Sequence, residues 1–439
     1  MFQRLFAITK NAFTEITRQP AYGILLLVGA ALIALSPIVT GFTMEHNVTG
    51  GGDVRLVIDM GLATILLVGL ILAVLSATQV VSREIEVKTA GAVISKPVSR
   101  LVLVAGKFLG VSAAMGVASY LLTVILLMTV RMDVPTSAGY TLDWPVFIGE
   151  VGSVAGALGF AFYANYFYRW NFTSTAVLTA LAACTISILA LCVVGKESVL
   201  GGWADFASKN AGPVLSAAIL VSLGVWVLSS VAVAASTRLN VVSNVIVCCA
   251  VFFVGMVSQY LFGWAVDASW GTWDPDYQFE QSERMLISGH VRTSKGEGMA
   301  GVRMSGLPEH VVTDEEGAYE ARVQRDRWGS VTPRLKGYSF NPTSRQYLRV
   351  ESDRPEQDYA GIEVASGWSY ALSTAWRWTA WTAYHVVPSF QSFWVADQLS
   401  RPQPAIPWSY VRRAALYASA WCAAMVAFAA FLFEKREII

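Results

Sequence analysis

The sequence predicts a membrane all-α protein: a polytopic helical bundle of about eight spans with one inserted extracytoplasmic all-β sandwich domain. Of the 439 residues, 54% are apolar and only 14% are charged, whereas soluble domains carry about 25% charged residues. Apolar stretches long enough to cross a hydrocarbon core recur along the chain. Close to half of the charges fall between residues 273 and 365, so a soluble domain interrupts the apolar sequence.

Residues 1–20 predict a cytoplasmic helix that lies on the membrane surface. Large apolar side chains recur at helical spacing, and polar side chains occupy the other faces. The recurring apolar residues are Phe2, Leu5, Phe6, Phe13 and Ile16. The segment is not typical of a secretory signal peptide, because its basic part is too long and no A-x-A site follows.

About eight stretches are long and apolar enough to be spans, because a helix of about 20 apolar residues crosses the core and satisfies its own backbone hydrogen bonds. Seven of them form a transmembrane bundle within residues 21–266, and the last lies within residues 409–439, which also hold the tail. Their approximate limits are 21–42, 57–81, 108–130, 145–167, 175–194, 214–236, 241–266 and 414–433. The fourth and fifth are rich in glycine or alanine, so a shorter or re-entrant form is the alternative for both.

Lysine and arginine in short loops predict the orientation, because these residues concentrate on the cytoplasmic side. They cluster in the N-terminal segment and in the loop after the second span, at residues 82–107. The opposite short loops carry fewer, even with Arg412 and Arg413 counted; the others there are Arg55, Arg131, Lys196 and Lys209. We therefore expect a multi-pass protein of the cell's inner (cytoplasmic) membrane, with both termini cytoplasmic and the charged domain extracytoplasmic.

Residues 284–365 predict the β-sandwich. Tyr319, Ala321 and Val323 alternate with polar neighbours, which is the period of a strand with one buried face. Turn signals such as Glu316-Gly317 recur along the segment. Their spacing favours about seven short strands.

The same segment resembles a carboxypeptidase-regulatory-like, transthyretin-like module. The motifs that carry this resemblance are Ser288-Gly289-His290-Val291, Gly301-Val302, Thr313-Asp314-Glu315-Glu316-Gly317-Ala318-Tyr319, Val331-Thr332-Pro333, Lys336-Gly337-Tyr338-Ser339-Phe340 and Asn341-Pro342. The resemblance implies a role in recognition or spacing and not in catalysis.

Residues 366–408 predict a helix at the outer membrane interface. The segment contains Trp376, Trp378, Trp381 and Trp394, and tryptophan concentrates where one end of the ring is apolar and the other is wet. We place the helix at residues 370–387, where Pro388 ends it. A short additional span or a re-entrant hairpin is the alternative.

Composition and motifs exclude several functional classes. The formal net charge of +1 provides no basic field for nucleic acid. No Walker, HExxH, GxSxG or Cys/His motif occurs, so we expect no catalytic residue, no metal site and no cofactor in this chain. The five cysteines lie in apolar runs, which is typical of buried structural residues. His290 and His310 lack further ligands at suitable spacing.

Glu150 is the acidic residue placed most clearly inside a predicted span. An intramembrane carboxylate is a functional candidate by default. It lies about 9 Å from the outer end of its helix, however, so contact with headgroup water is the alternative. With no second carboxylate beside it in the sequence, an ion-coupled pump and an intramembrane enzyme are both disfavoured.

The loop at residues 82–107 is the most informative segment. Glu84 and Lys88 are four residues apart, which stabilises a helix, and a proline ends the charged stretch. A short protruding helix of this kind suits docking into a groove of a soluble partner, and a solvated connector is the alternative of equal weight. The residues that we assign to coupling with the partner are Glu84, Glu86, Lys88, Lys96, Pro97 and Arg100.

The order of several short motifs resembles that of permeases of the ABC type 2 exporter family. The motifs are Ser82-Arg83-Glu84-Ile85-Glu86-Val87-Lys88-Thr89, Lys96-Pro97-Val98-Ser99-Arg100, Gly106-Lys107, Ser236-Thr237-Arg238-Leu239-Asn240, Pro388-Ser389-Phe390-Gln391-Ser392-Phe393 and Phe433-Glu434-Lys435-Arg436-Glu437. The family commonly has six spans, so two spans among the third to fifth are additional here. Lys88-Thr89 stands where the family has Gly-Thr.

The resemblance implies a transmembrane permease subunit of an ATP-binding-cassette transporter, more specifically an exporter. It also implies a second permease subunit, identical or different, and a separate ATPase subunit that docks on the loop. ATP and magnesium would be bound by that ATPase, so the permease itself is not an enzyme, and its remaining partner is membrane lipid. A membrane-anchored extracytoplasmic binding protein without transport activity is the alternative.

Overall fold

The structure, a computed structural model, divides the chain into two compact units. The first unit comprises Met1–Phe252 and Ser392–Ile439, and the second unit comprises Phe253–Gln391. The second unit is therefore an insertion in the sequence of the first. The structure describes residues 2–40, 52–82, 100–132, 134, 142–196, 200–208, 211–262, 284–307, 311–324, 329–335, 338–347, 352–363, 368–399 and 406–434.

Most of the described residues are helical. The helices are α1 (Phe2–Thr17), α2 (Pro20–Thr40), α3 (Gly52–Ala77), α4 (Arg100–Met132), α5 (Trp144–Tyr168), α6 (Phe172–Val193), α7 (Gly202–Ser208), α8 (Ala211–Ser236), α9 (Val241–Phe262), α10 (Trp368–Val386), α11 (Ala396–Leu399) and α12 (Trp408–Glu434). A π-helical turn, Thr78–Ser82, continues α3, and a 3-10 turn, Phe390–Phe393, precedes α11.

Eight of these helices are long and apolar enough to cross a membrane: α2 to α6, α8, α9 and α12. They correspond one to one to the eight predicted stretches, so the prediction of about eight membrane-length helices is confirmed within the described residues. The glycine- and alanine-rich fourth and fifth stretches form full helices of 25 and 22 residues. The shorter alternative for these two is therefore wrong.

Helices α4 and α8 lie at the centre of the first unit. In their most apolar windows, 78% and 83% of the residues are buried, against 28% for α5 and 22% for α6. The consecutive helices α5 and α6 pack mainly against each other and expose large apolar side chains such as Ile148, Phe162 and Ile186. A helix that is apolar on its exposed face as well is typical of a membrane span.

Local sequence explains why α5 and α6 form a tight helical hairpin. Asp143 precedes α5, and its carboxylate accepts a hydrogen bond from the backbone N–H of Val146, 3.3 Å away. Asn171 caps α6 in the same way through the N–H of Ser174, at 3.1 Å. Arg169 adopts the left-handed conformation with φ 56°, which ends α5 and turns the chain into α6.

Helix α1 packs along the first turns of α4. It confirms that the N-terminal segment is helical, and its place on the cytoplasmic membrane surface stays a prediction. Gly106 and Gly110 of α4 face Ile8 and Ala12 of α1, so the two backbones approach closely. Ile16 of α1 is fully buried. Glycines spaced four residues apart permit this close packing of two helices.

A methyl group added at Gly110 is expected to displace α1, because its carbon would lie 2.6 Å from Ala12 Cβ and 2.9 Å from the carbonyl oxygen of Thr9. We expect the variant Gly110→Ala to raise the rate of maleimide labelling of an Ile16→Cys reporter by roughly tenfold, because the buried reporter becomes accessible. The matched control is Gly116→Ala on the same helix, where the added carbon has only ordinary contact, 3.6 Å from Trp226. Equal labelling in both backgrounds would contradict this packing.

The β region of the second unit contains two four-stranded sheets. Their strand orders are β4-β1-β8-β6 and β3-β2-β5-β7. The strands are β1 (Arg284–Thr293), β2 (Arg303–Ser305), β3 (Val311–Val312), β4 (Ala318–Gln324), β5 (Gly329–Arg334), β6 (Tyr338–Asn341), β7 (Arg345–Tyr347) and β8 (Tyr359–Glu363). Within the described residues, this is one strand more than the approximate number predicted.

The predicted alternation in β4 is confirmed. Tyr319, Ala321 and Val323 are buried, whereas Glu320 and Arg322 are exposed. The three buried side chains join one apolar cluster that draws on both sheets, with Ile287, Val291, Met304, Val331, Phe340 and Tyr359 among its members. The arrangement of the sheets as a sandwich stays a prediction.

Helix α10 coincides with the helix predicted before Pro388. Its bounds are Trp368–Val386, within two residues of the predicted ones. It is not among the helices of the described chain that are long and apolar enough to cross a membrane. This favours the interfacial helix over an additional span, and its place at the outer interface stays a prediction.

Candidate functional site

Most of the predicted coupling residues cannot be placed. Glu84, Glu86, Lys88, Lys96 and Pro97 lie outside the described residues. Arg100 begins α4, so residues 100–107, predicted as the last part of the loop, are helical. The described residues on both sides of the loop therefore define the candidate site.

A buried lysine joins the two sides of this loop. The Lys107 ammonium donates a hydrogen bond to the carbonyl oxygen of Val80 at 2.7 Å. Val80 belongs to the π-helical turn that leads into the loop, and Lys107 lies in α4, which leads out of it. The sequence pattern counted Lys107 as one more basic loop residue, but its side chain is buried. A charged donor makes this a strong hydrogen bond.

Asn244 extends the contact to two further helices. Its side-chain amide donates to Thr78 Oγ1 in the π-helical turn at 3.0 Å and to the carbonyl oxygen of Ala232 in α8 at 3.2 Å. Asn244 itself is in α9 and fully buried. We call Thr78, Val80, Lys107, Ala232 and Asn244 the loop-base junction.

The loop-base junction connects α3, through its π-helical turn, with α4, α8 and α9 near the loop. Buried polar groups in an apolar bundle are costly to leave without a partner, so these hydrogen bonds resist separation of the four helices. Nearby, the Arg238 guanidinium donates to the carbonyl oxygen of Leu432 in α12, 2.7 Å away.

Glu150 lies in a second polar cluster, between α4, α5 and α6. Its carboxylate accepts a hydrogen bond from Thr129 Oγ1 at 3.0 Å. The Ser153 hydroxyl donates to the backbone carbonyl of Glu150 at 3.0 Å and lies 3.3 Å from Cys184 Sγ. Glu150 is buried against its neighbouring helices, which disfavours contact with headgroup water; its depth in the membrane stays a prediction.

A third polar cluster surrounds Arg131, which is almost completely buried at the end of α4. Its Nε lies 3.3 Å from Asp143 Oδ2, and one Nη lies 3.4 Å from Asp205 Oδ2. The guanidinium also donates to the carbonyl of Leu191 near the end of α6 and to that of Val194 just after the helix. These contacts join the end of α4, the start of α5, the end of α6 and α7.

Sequence reasoning did not identify Arg131, Lys107 or Asn244 as site residues. Arg131 counted only as a loop charge on the outer side. The signal that was available for Arg131 is the pair of aspartates, Asp143 and Asp205, in the two segments that follow α4 and α6. Within the described residues, no group of three or more His, Cys, Asp or Glu side chains is placed to hold a metal ion.

An apolar cavity of about 310 Å³ lies between α2, α4, α5 and α6. Its walls include Leu27, Leu122, Leu158 and Val177, and Cys184 links it to the Glu150 cluster. It lies between one part of the α5–α6 hairpin and the helices α2 and α4.

Comparisons with protein-family models, with curated proteins and with solved structures found no match for this chain.

Proposed function

We propose that this chain is the transmembrane permease subunit of an ATP-binding-cassette transporter, an exporter driven by a separate ATPase subunit that docks on the loop at residues 82–107. The observation that carries this proposal is the loop-base junction. It ties the residues that flank the loop to four helices through Lys107 and Asn244. A solvated connector would need no buried ammonium at its base.

In this proposal the ATPase pushes on the loop, and the loop-base junction passes the displacement to α3, α4, α8 and α9. ATP and magnesium belong to the ATPase, and a second permease subunit, identical or different, completes the pathway. The element that would switch between two orientations during alternating access is the pair α3 and α4, which the loop connects. Both termini face the cytoplasm, and the second unit holds an extracytoplasmic β-sandwich.

The place of the α5–α6 hairpin fits a pair added to a six-span core. These two helices are consecutive and are among the least buried of the candidate spans. Their strongest described ties to the rest of the first unit are the Arg131 and Glu150 clusters and the walls of the cavity. No residue of the loop-base junction belongs to α5 or α6, so the junction does not depend on this pair.

A second candidate function is a membrane-anchored extracytoplasmic binding protein. It is favoured by a polar groove of about 650 Å³ in the β region. Charged side chains of both signs line this groove, among them Arg292, Asp314, Glu320 and Asp358. For such a protein no ATPase is required.

The test is affinity purification of the full chain from gently solubilised native membrane. We expect wild type to retain an ATPase with Walker motifs. The double variant Glu84→Lys, Glu86→Lys is expected to retain roughly tenfold less, because reversing two interfacial charges places like charges opposite each other. The matched control is Glu315→Lys, Glu316→Lys, an equal charge change at two exposed residues of the β region.

Each outcome separates the candidates. If the control variant lost the ATPase to the same extent, the loss would be an effect of the charge change in general and would not indicate a contact at the loop. If all three proteins retained the ATPase equally, the permease proposal would stand, but the contact with the ATPase would lie elsewhere than at Glu84 and Glu86. No ATPase with any of them, from a monodisperse preparation, would overturn the permease and favour the binding protein.

A further inference from the structure

We propose that the cavity between α2, α4, α5 and α6 binds one acyl chain of a membrane phospholipid. This inference requires that the eight helices cross a membrane. It does not require an ATPase partner, so it stands or falls separately from the proposed function.

The chemistry of the walls selects an uncharged, apolar occupant. None of the described residues that line the cavity is ionisable at neutral pH, and the only lining side chains with a heteroatom are Thr173 and Cys184. Water or a polar solute would leave its hydrogen-bonding groups without partners there. A hydrocarbon chain has no hydrogen-bonding group to leave without a partner, and it exchanges dispersion contacts with neighbouring lipid for contacts with the walls.

The length of the cavity matches one leaflet of a bilayer. Its lining along α2 runs from Pro20 to Ala30, which is about 15 Å of helix. Its lining along α6 runs from Phe172 to Cys184, which is about 18 Å. The hydrocarbon core is about 30 Å thick, so one leaflet contributes about 15 Å. The cavity therefore has the length of one lipid chain and not of two.

The cavity is continuous with the surface that would face lipid. Ile24 and Leu27 of α2 line it, yet they are 60% and 45% exposed, so its wall is also part of the outer surface of the bundle. At its other end, Cys184 contacts Ser153 beside Glu150. A chain that enters from the lipid side would end against this polar cluster.

The experiment is photo-crosslinking of the full chain in vesicles of phosphatidylethanolamine and phosphatidylglycerol. The probe is a phosphatidylethanolamine with a diazirine at the end of one acyl chain. Val177 and Cys184 are buried but line the cavity, whereas Ile186 on the same helix is 67% exposed. We expect adducts at Val177 and Cys184 as well as at Ile186.

A filling variant and a matched control make the result specific. Ala180→Phe places a ring in the cavity, and Ala30→Phe does so from the opposite wall. Ala182→Phe places the same ring on the exposed face of α6. We expect each filling variant to reduce adducts at Val177 and Cys184 by roughly tenfold without reducing those at Ile186, because an added ring competes for the same volume. The control is expected to leave adducts at Val177 and Cys184 unchanged; labelling of Ile186 is not compared in this variant, because residue 182 is its neighbour one turn away.

Three results would overturn the proposal. One is labelling of Ile186 without labelling of Val177 and Cys184. Another is equal labelling of these two residues in wild type and in a filling variant that elutes and unfolds like wild type. The third uses an Ile24→Cys reporter to crosslink two copies of the chain. If the yield of this crosslink increased while the yield of lipid adducts at Val177 and Cys184 decreased, a second copy and not a lipid would cover the cavity.

Discussion

Replacing Arg131 by methionine is expected to destabilise the first unit by about 3–5 kcal/mol, because removal of one partner from a buried ion pair leaves the other charge uncompensated. Asp143, the partner at 3.3 Å, is as buried as Arg131. The variant also leaves the carbonyl groups of Leu191 and Val194 without their described donor. The destabilisation should appear first as separation of the α5–α6 hairpin from α4.

The measurement is the unfolding midpoint of the detergent-solubilised protein in a denaturant series. Arg412→Met is the matched control, because Arg412 is exposed near the start of α12. It is expected to change the free energy of unfolding by less than about 1 kcal/mol. Arg131→Lys should give an intermediate value, since lysine keeps the charge but lacks the forked geometry. A midpoint for Arg131→Met equal to that of the control would contradict the role of this cluster.

The second large effect is expected at Gly317 in the turn before β4. This residue has φ +79°, and a side-chain carbon there would collide with the carbonyl oxygen of Val291 and lie 2.7 Å from the N–H nitrogen of Met299. The Gly317 carbonyl accepts from the N–H of Val291 at 2.7 Å. Gly317→Val must break this hydrogen bond in addition to straining the backbone, so we expect a loss of about 3 kcal/mol or more.

Gly296 provides the matched control for this effect. It also has a positive φ, +87°, but a side-chain carbon would meet nothing within 4 Å. Gly296→Val therefore tests backbone strain alone, which costs about 1–2 kcal/mol. Amide hydrogen exchange in the full chain should show lost protection of β1 and β4 for Gly317→Val and nearly native protection for Gly296→Val. Equal protection in the two variants would show that the collision is relieved without disturbing the β region.

Local patterns were sufficient for the elements of this fold. An apolar run of about 20 residues is a property of neighbouring residues, and such runs predicted the eight membrane-length helices found among the described residues. The alternation at Tyr319, Ala321 and Val323 likewise predicted β4 and its buried face. The tryptophan-rich segment before Pro388 predicted α10. In each case the secondary structure that the local sequence favours is the one that the segment adopts in the fold.

The sequence by itself therefore determined which segments become helices and strands and which of their faces are apolar. Only the tertiary structure decided what the charged side chains do, because burial of a charge depends on helices distant in the chain. Asn244 meets Thr78 across 166 positions, Arg131 meets Val194 across 63, and α4 and α6 together cover Glu150. No periodicity of the local sequence encodes such long-range contacts. The sequence therefore predicted Lys107 and Arg131 as loop charges, whereas in the structure both are buried and hydrogen-bonded to distant residues.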